Sequence, residues 1–118
     1  MRVIVCGSRN GCSPPLLERT LSGLFAAPAL RPHVVISGGA TGVDAQAIEW
    51  AKAHGICPVT VDACWVPHGY SGGPIRNGRM LWFEPDLVLA FPGGRGTANM
   101  VKQAREQGVE VREVLDDE

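Results

Sequence analysis

The sequence predicts an α/β fold of the Rossmann-like kind. It would be a three-layer α/β/α sandwich on a five-stranded parallel sheet with strand order 3-2-1-4-5. Three observations carry this expectation. Short apolar, β-rich runs alternate along the chain with segments of helical periodicity. The runs RVIVC, HVVIS and DLVLAF are almost continuously apolar, as strands covered on both faces must be. Each of them leads directly into a glycine-rich turn: GSRNG, GGATG and PGGRGT respectively. Right-handed crossovers then leave few ways to order the strands.

The elements follow in order. Arg2–Cys6 is the first strand, ending at Gly7. Ser13 is placed to cap the next helix. Pro14 stands at a first-turn position where its missing N–H costs nothing. Leu16, Leu17, Leu21, Leu24 and Phe25 then recur on one helical face. His33–Ser37 is the second strand, followed by GGATGVD and a helix from about Gly42 to His54, stopped by Gly55. Cys57–Val61 is the third strand, and its proline points to an edge or a strand start. An irregular stretch from Asp62 to Gly73 precedes a helix over about Pro74–Phe83. Asp86–Phe91 is the fourth strand, TANMVKQAREQ the fourth helix ended by Gly108, and Val109–Val114 a half-exposed fifth strand. No repeat or long linker divides the chain, so one domain over residues 1–118 is expected.

Bulk properties narrow the function. The formal net charge is −1, so the chain has no global basic field for coating nucleic acid, and a nucleic-acid partner is not expected. No apolar run is long enough to cross a bilayer, and the N-terminus lacks the apolar core of a signal peptide, so a cytoplasmic location is expected. The four cysteines, Cys6, Cys12, Cys57 and Cys64, form no C-x-x-C pair. His54 with Cys57, and Cys64 with His68, lack paired ligand spacing. No metal or other cofactor is expected.

The chemistry should lie at the C-terminal edge of the sheet, where parallel strands feed their turns into a shared crevice. In the expected order the strand sequence reverses between strands one and four, so the GSRNG and PGGRGT turns should face each other. Glycine lets backbone amides approach a bound group, and each following helix points free N–H groups and a positive dipole end at it. A phosphate cradle results, with Gly7, Ser8, Gly38, Gly39, Pro92, Gly93, Gly94, Gly96 and Thr97 as its backbone. Arg9, Arg76 and Arg95 are the cations placed to clamp an anion with a two-pronged guanidinium. Thr41 and Asp44 have near capping-box spacing, and Thr97 is read as an N-cap whose hydroxyl also reaches phosphate. Asp44 is either structural or a hydrogen-bond acceptor for a ribose or base. Arg76 and Met80 share a helix face four residues apart, with Asn77 beside Arg76. Trp65 and Tyr70 are candidates for stacking on a base, for plugging a loop, or for meeting a second subunit.

The combination of GSR at Gly7–Arg9, SGGATGVDAQA at Ser37–Ala47, GPIRNGRM at Gly73–Met80 and FPGGRGTANMV at Phe91–Val101 resembles the YspA-like family. That family belongs to the SLOG superfamily of Rossmann-like domains, named for its SMF/DprA and LOG members. The resemblance covers nearly the whole chain. It implies a nucleotide or nucleotide-derivative ligand, such as a nucleoside phosphate, ADP-ribose or an NAD-like molecule, that the protein senses or processes. The LOG relatives hydrolyse the N-glycosidic bond of a riboside monophosphate, with motifs resembling R-K-x-x-M and P-G-G-x-G-T-x-x-E. Here Arg76 and Met80 match the first motif, and Pro92, Gly93, Gly94, Gly96 and Thr97 the second. Asn77 replaces the lysine, and Met100 stands where the functional glutamate belongs. Glycosidic cleavage builds positive charge on the sugar, which a carboxylate stabilises and a thioether does not. Asp44 or Glu49 would have to substitute, and Arg76 and Asp44 are the catalytic candidates if the protein is an enzyme. Binding without that chemistry is therefore the lead reading. A LOG-like phosphoribohydrolase is the alternative, followed by a DprA-like DNA binder or a carrier of a phosphorylated cofactor. The apolar run MLWF at Met80–Phe83, together with the tendency of SLOG relatives to pair through helices, adds a homodimer as the expected oligomer.

Overall fold

The computed structural model describes residues 1–24, 31–63 and 72–115. The expected positions Phe25, Cys64, Trp65, His68 and Tyr70 lie outside these. Five parallel strands form one sheet: β1 (Arg2–Cys6), β2 (Val34–Ser37), β3 (Cys57–Thr60), β4 (Leu87–Ala90) and β5 (Glu110–Glu113), in the order β3-β2-β1-β4-β5. This is the predicted Rossmann-like order, with the reversal between β1 and β4.

Among the described residues four α-helices cover the two faces: α1 (Pro14–Gly23), α2 (Val43–Ala53), α3 (Gly72–Met80) and α4 (Arg95–Glu106). The period-2 alternation of β1 sorts the core into two halves. Val3 and Val5 turn toward α1 and α2, in a cluster with Leu16, Leu17, Leu21, Ala47 and Trp50. Ile4 and Cys6 turn toward α3 and α4, in a cluster with Ile36, Met80, Val88, Met100 and Ala104. Both faces of β1 are therefore sealed, which is why its sequence reads as apolar throughout. Each fully buried aliphatic side chain here contributes about 1.5–3 kcal/mol relative to exposure.

The edges look as the sequence suggests. β3 is an outer strand and carries Pro58 exposed, while β5 is the other outer strand with Val111 its most sheltered residue. Ser13 caps α1 by accepting the Leu16 amide at 3.2 Å, with proline at the first helical position. Gly55 follows α2 at φ +67°, the left-handed conformation that ends a helix.

Three local expectations are corrected. The third helix does not run on to Phe83. It ends at Met80, tightens into a 3₁₀ turn over Leu81–Phe83, and is closed by Glu84 at φ +53°. Thr41 is not a helix cap: Gly42 occupies that position without a side-chain bond, and the Thr41 hydroxyl donates to the Arg9 carbonyl at 3.1 Å. Thr97 is not a cap either, because α4 already begins at Arg95 after Gly94. In both cases a glycine takes the cap position, Gly42 one residue after Thr41 and Gly94 three before Thr97, and the hydroxyl is left for other contacts. Among the described residues no helix is long and apolar enough to cross a membrane.

Candidate functional site

All the glycine turns after β1, β2 and β4 emerge at one edge of the sheet, because parallel strands share a direction. The turns after β1 and β4 meet directly. The Ser8 amide donates to the Pro92 carbonyl at 3.0 Å, and a Cβ on Gly93 would stand 2.9 Å from the Gly7 carbonyl carbon. The space between these two turns is thus filled by backbone, and the Ser8 N–H is already used. The turn after β2 closes on the first from the other side: Val43 donates its amide to the Ser8 carbonyl at 3.0 Å. Gly42 permits this approach. It lies at φ +76°, and a side chain there would collide with the backbone of Ser8 and Arg9.

Two grooves flank the packed turns. The first encloses about 640 Å³ and is lined by Arg9, Gly38, Gly39, Ala40, Thr41, Asp62, Ala63 and Arg76. The second, of about 790 Å³, runs between α4 and β5. Its walls include Pro92, Gly93, Gly94, Thr97, Lys102, Arg105 and Glu113. The residues singled out in the sequence therefore divide. Arg9, Gly38, Gly39, Thr41 and Arg76 line the first groove; Pro92, Gly93, Gly94 and Thr97 line the second. Gly7 and Ser8 form the seam between the turns. Arg95 and Gly96 are exposed on the first turn of α4 and line neither groove.

Arg76 is the residue that joins the layers. It rises from α3, on one face of the sheet, and an Nη donates to the Gly38 carbonyl in the turn that leads to α2, on the other. Gly38 must lack a side chain for this, since a Cβ there would press on the guanidinium and come within 3.0 Å of the Asp44 carboxylate. A guanidinium carries five N–H donors. The Gly38 bond and the Nε bond to Asn77 Oδ1 at 2.9 Å leave three without a partner among the described residues. The amides of Gly39 and Thr41 likewise have no partner among the described residues, whereas the Ala40 amide is taken by Asp44 at 3.2 Å.

Asp44 sits behind this turn, buried. Burial raises its carboxyl above the usual carboxylate range, and the Ala40 amide, the Arg76 charge, the Ser37 hydroxyl and the Gly38 amide oppose that rise without cancelling it. A carboxyl so perturbed beside a cleft is a functional candidate on physical grounds. Its bond to Ala40 also shapes the turn. Cys6, just below, is no nucleophile: burial, reinforced by Asp44, pushes its thiol up to about 12, against the pull of Arg76.

Asn77, the departure from the LOG lysine, is buried and ties α3 to α4. It accepts from Arg76 Nε and donates to the Gly96 carbonyl and to Asn99 Oδ1, each at 3.1 Å. Asn99 Oδ1 also accepts from Gln103 Nε2 at 2.7 Å, and Gln103 reaches back to the Pro74 carbonyl at 2.9 Å. This chain of amides fixes the pitch of α3 against α4, and with it the position of Arg76. Met100 is wholly buried in the second core cluster, among Ile4, Cys6, Ile36 and Met80. It supplies apolar volume to the core.

Sequence reading missed Asp62 as a lining residue and the Asn77–Asn99–Gln103 chain. The first follows a strand whose end was placed one residue too late. The second had a signal in the spacing of Asn99 and Gln103, four apart on one helical face. Among the described residues no three His, Cys, Asp or Glu side chains gather as a metal set.

Comparison with known proteins adds three findings. No curated protein sequence matches this chain. The X-ray structure of DNA processing protein A (DprA) from Streptococcus pneumoniae superposes with a TM-score of 0.69 at 23% sequence identity. The match covers 95% of this chain and 49% of that one, so the chain spans about half the length of that protein and the likeness speaks to the fold. A family model described as YspA, cpYpsA-related SLOG family matches residues 1–68, more than half of the sequence. With the strand order and the glycine turns, this match makes the chain a member of the YspA, cpYpsA-related SLOG family.

Proposed function

We propose that the protein binds a nucleotide or nucleotide derivative, a nucleoside phosphate or an ADP-ribose or NAD-like molecule, as a sensor or processor of that ligand. The observation that carries this reading is the 640 Å³ groove in which bare backbone at Gly38–Thr41 faces two arginines. Amides at Gly39 and Thr41 that have no partner among the described residues, beside the Arg76 donors that likewise have none there, are the donor set a phosphate requires. Membership of a SLOG family supports a nucleotide-related role. The second groove, at the PGGRGT turn and the N-terminus of α4, lies across the packed turns and shares no lining residue with the first, so the reading rests on the first groove alone.

A hydrolase reading has one specific support, the raised pKa of Asp44 beside Arg76. Against it stands Met100, whose place in the core leaves the LOG carboxylate position without a carboxylate. The fold neighbour is a DNA-processing protein, but a net charge of −1 and a carboxylate in the groove disfavour a polyphosphate backbone. Calorimetric titration of a nucleoside 5′-monophosphate and its nucleoside tests the binding reading. The monophosphate should bind more tightly, and equal affinities would mean the glycine turns are only turns. Chromatography of the same mixtures should show no rapid release of free base; rapid release would favour the hydrolase.

A further inference from the structure

The first groove is not uniformly cationic. β3 ends at Thr60, its pairing carried one residue further by the bond from the Val61 amide to the Ser37 carbonyl at 2.9 Å. The next residue, Asp62, is thereby delivered to the sheet's C-terminal edge. Its carboxylate lies directly against Gly39, which adopts φ +74° and has no space for a side chain between Asp62 and the Thr60 methyl. The other described aspartates are engaged: Asp44 holds the Ala40 amide, and Asp86 accepts the Arg2 amide at 2.7 Å. Asp62 is exposed and makes no hydrogen bond or ion pair with any described residue, although Arg9 and Arg76 line the same groove.

We propose that Asp62 accepts hydrogen bonds from the vicinal hydroxyls of a ribose, making the groove selective for ribonucleotides. The inference rests on the nucleotide reading above and names the sugar that it takes. Arg76 stands at Gly38 and Asp62 at Gly39. The guanidinium and the carboxylate thus flank neighbouring residues of one turn, and both line the same groove. A nucleotide whose phosphate sits at the guanidinium would then have its sugar hydroxyls facing the carboxylate. An ionised carboxylate is acceptor-only, with two oxygens able to take one hydroxyl each. The same charge repels a second phosphate placed there, which sets a ribose apart from a continuous nucleic-acid backbone.

The test uses the intact chain, with a chelator present except in a parallel series to which divalent cation is restored. Calorimetry compares the four common ribonucleoside 5′-monophosphates with their 2′,3′-dideoxy counterparts, on the native protein and on Asp62→Asn and Asp62→Ala. The native protein should prefer the ribo form by about ten- to a hundredfold, the range of hydrogen bonds to a charged group. Both variants should lose most of that preference while keeping the native thermal midpoint, since the carboxylate has no partner among the described residues. Three results overturn the proposal while leaving the nucleotide reading intact. These are equal binding of ribo and dideoxy forms, an unchanged preference in both variants, or binding that appears only when divalent cation is restored. Failure of every ribonucleotide to bind the native chain, with and without cation, would instead remove the nucleotide reading and this inference together.

Discussion

Replacing Met100 by glutamate restores the residue that the LOG pattern calls for, and the structure predicts that it damages the fold before it affects chemistry. Met100 is 0% exposed and its cluster is apolar except for the Cys6 thiol. Removing the thioether forfeits about 1.5–3 kcal/mol of burial, and an uncompensated buried charge costs about 3–5 kcal/mol. The carboxyl relieves part of that by taking up a proton. A net loss of about 3–5 kcal/mol at pH 7.5 is therefore expected, a large share of the about 5–15 kcal/mol that holds a domain together. The loss should also depend on pH. A buried carboxyl has a higher pKa folded than unfolded, so its native state binds more protons. The variant's deficit should narrow as pH falls toward the unfolded value of about 4.3. Urea unfolding at pH 7.5 and pH 5 measures both effects, with Met100→Leu as a volume control costing less than about 1.5 kcal/mol. A glutamate variant as stable as the native protein at pH 7.5 would refute the reasoning, because it would mean that position 100 opens to the groove.

Three more outcomes are expected. Asn77→Ala breaks the bonds to Arg76, Gly96 and Asn99, and should cost about 1–3 kcal/mol in thermal unfolding and weaken nucleotide binding through misplacement of Arg76; a variant with unchanged melting would contradict the positioning role. Asp44→Asn tests the raised carboxyl: the native protein's stability relative to the variant should be greatest below about pH 3.9 and fall as pH rises through the folded value, whereas a pH-independent difference by chemical denaturation would place Asp44 in the ordinary range. Trp82 and Phe83 are 77% and 43% exposed, so a homodimer that covers them is expected, to be dissociated by Trp82→Ser; light scattering that shows the native chain monomeric at high micromolar concentration would argue against it.

The sheet was legible because burial on both faces writes itself into β1 and β4 as unbroken apolar runs, and because glycine turns mark where each strand ends. The edge strands were legible for the complementary reason, Pro58 in one and alternation in the other. The site was legible in its residue types more than in its grouping. Arg76 was visible as a cation near the glycine turns, but its reach across the sheet edge to Gly38 depends on a tertiary approach that no local pattern encodes. Met100 was placed by motif alignment at a functional position, while its helical stripe with Val101 and Ala104 already pointed to the core. Thr41 and Thr97 resembled caps because the spacing is right, and glycine took the cap in both turns.

Arg76 and the phosphate it is proposed to hold are the centre of the proposed function. Paired calorimetric titrations of a ribonucleoside 5′-monophosphate and its nucleoside should be made on the native protein and on Arg76→Ala. The native protein should favour the monophosphate by at least about tenfold, and the variant should lose a phosphate contact of about 1.5–3 kcal/mol while its affinity for the nucleoside changes little. If the native protein binds nucleoside and nucleotide equally, or if Arg76→Ala leaves the preference unchanged, the groove does not read phosphate and the proposed function is wrong.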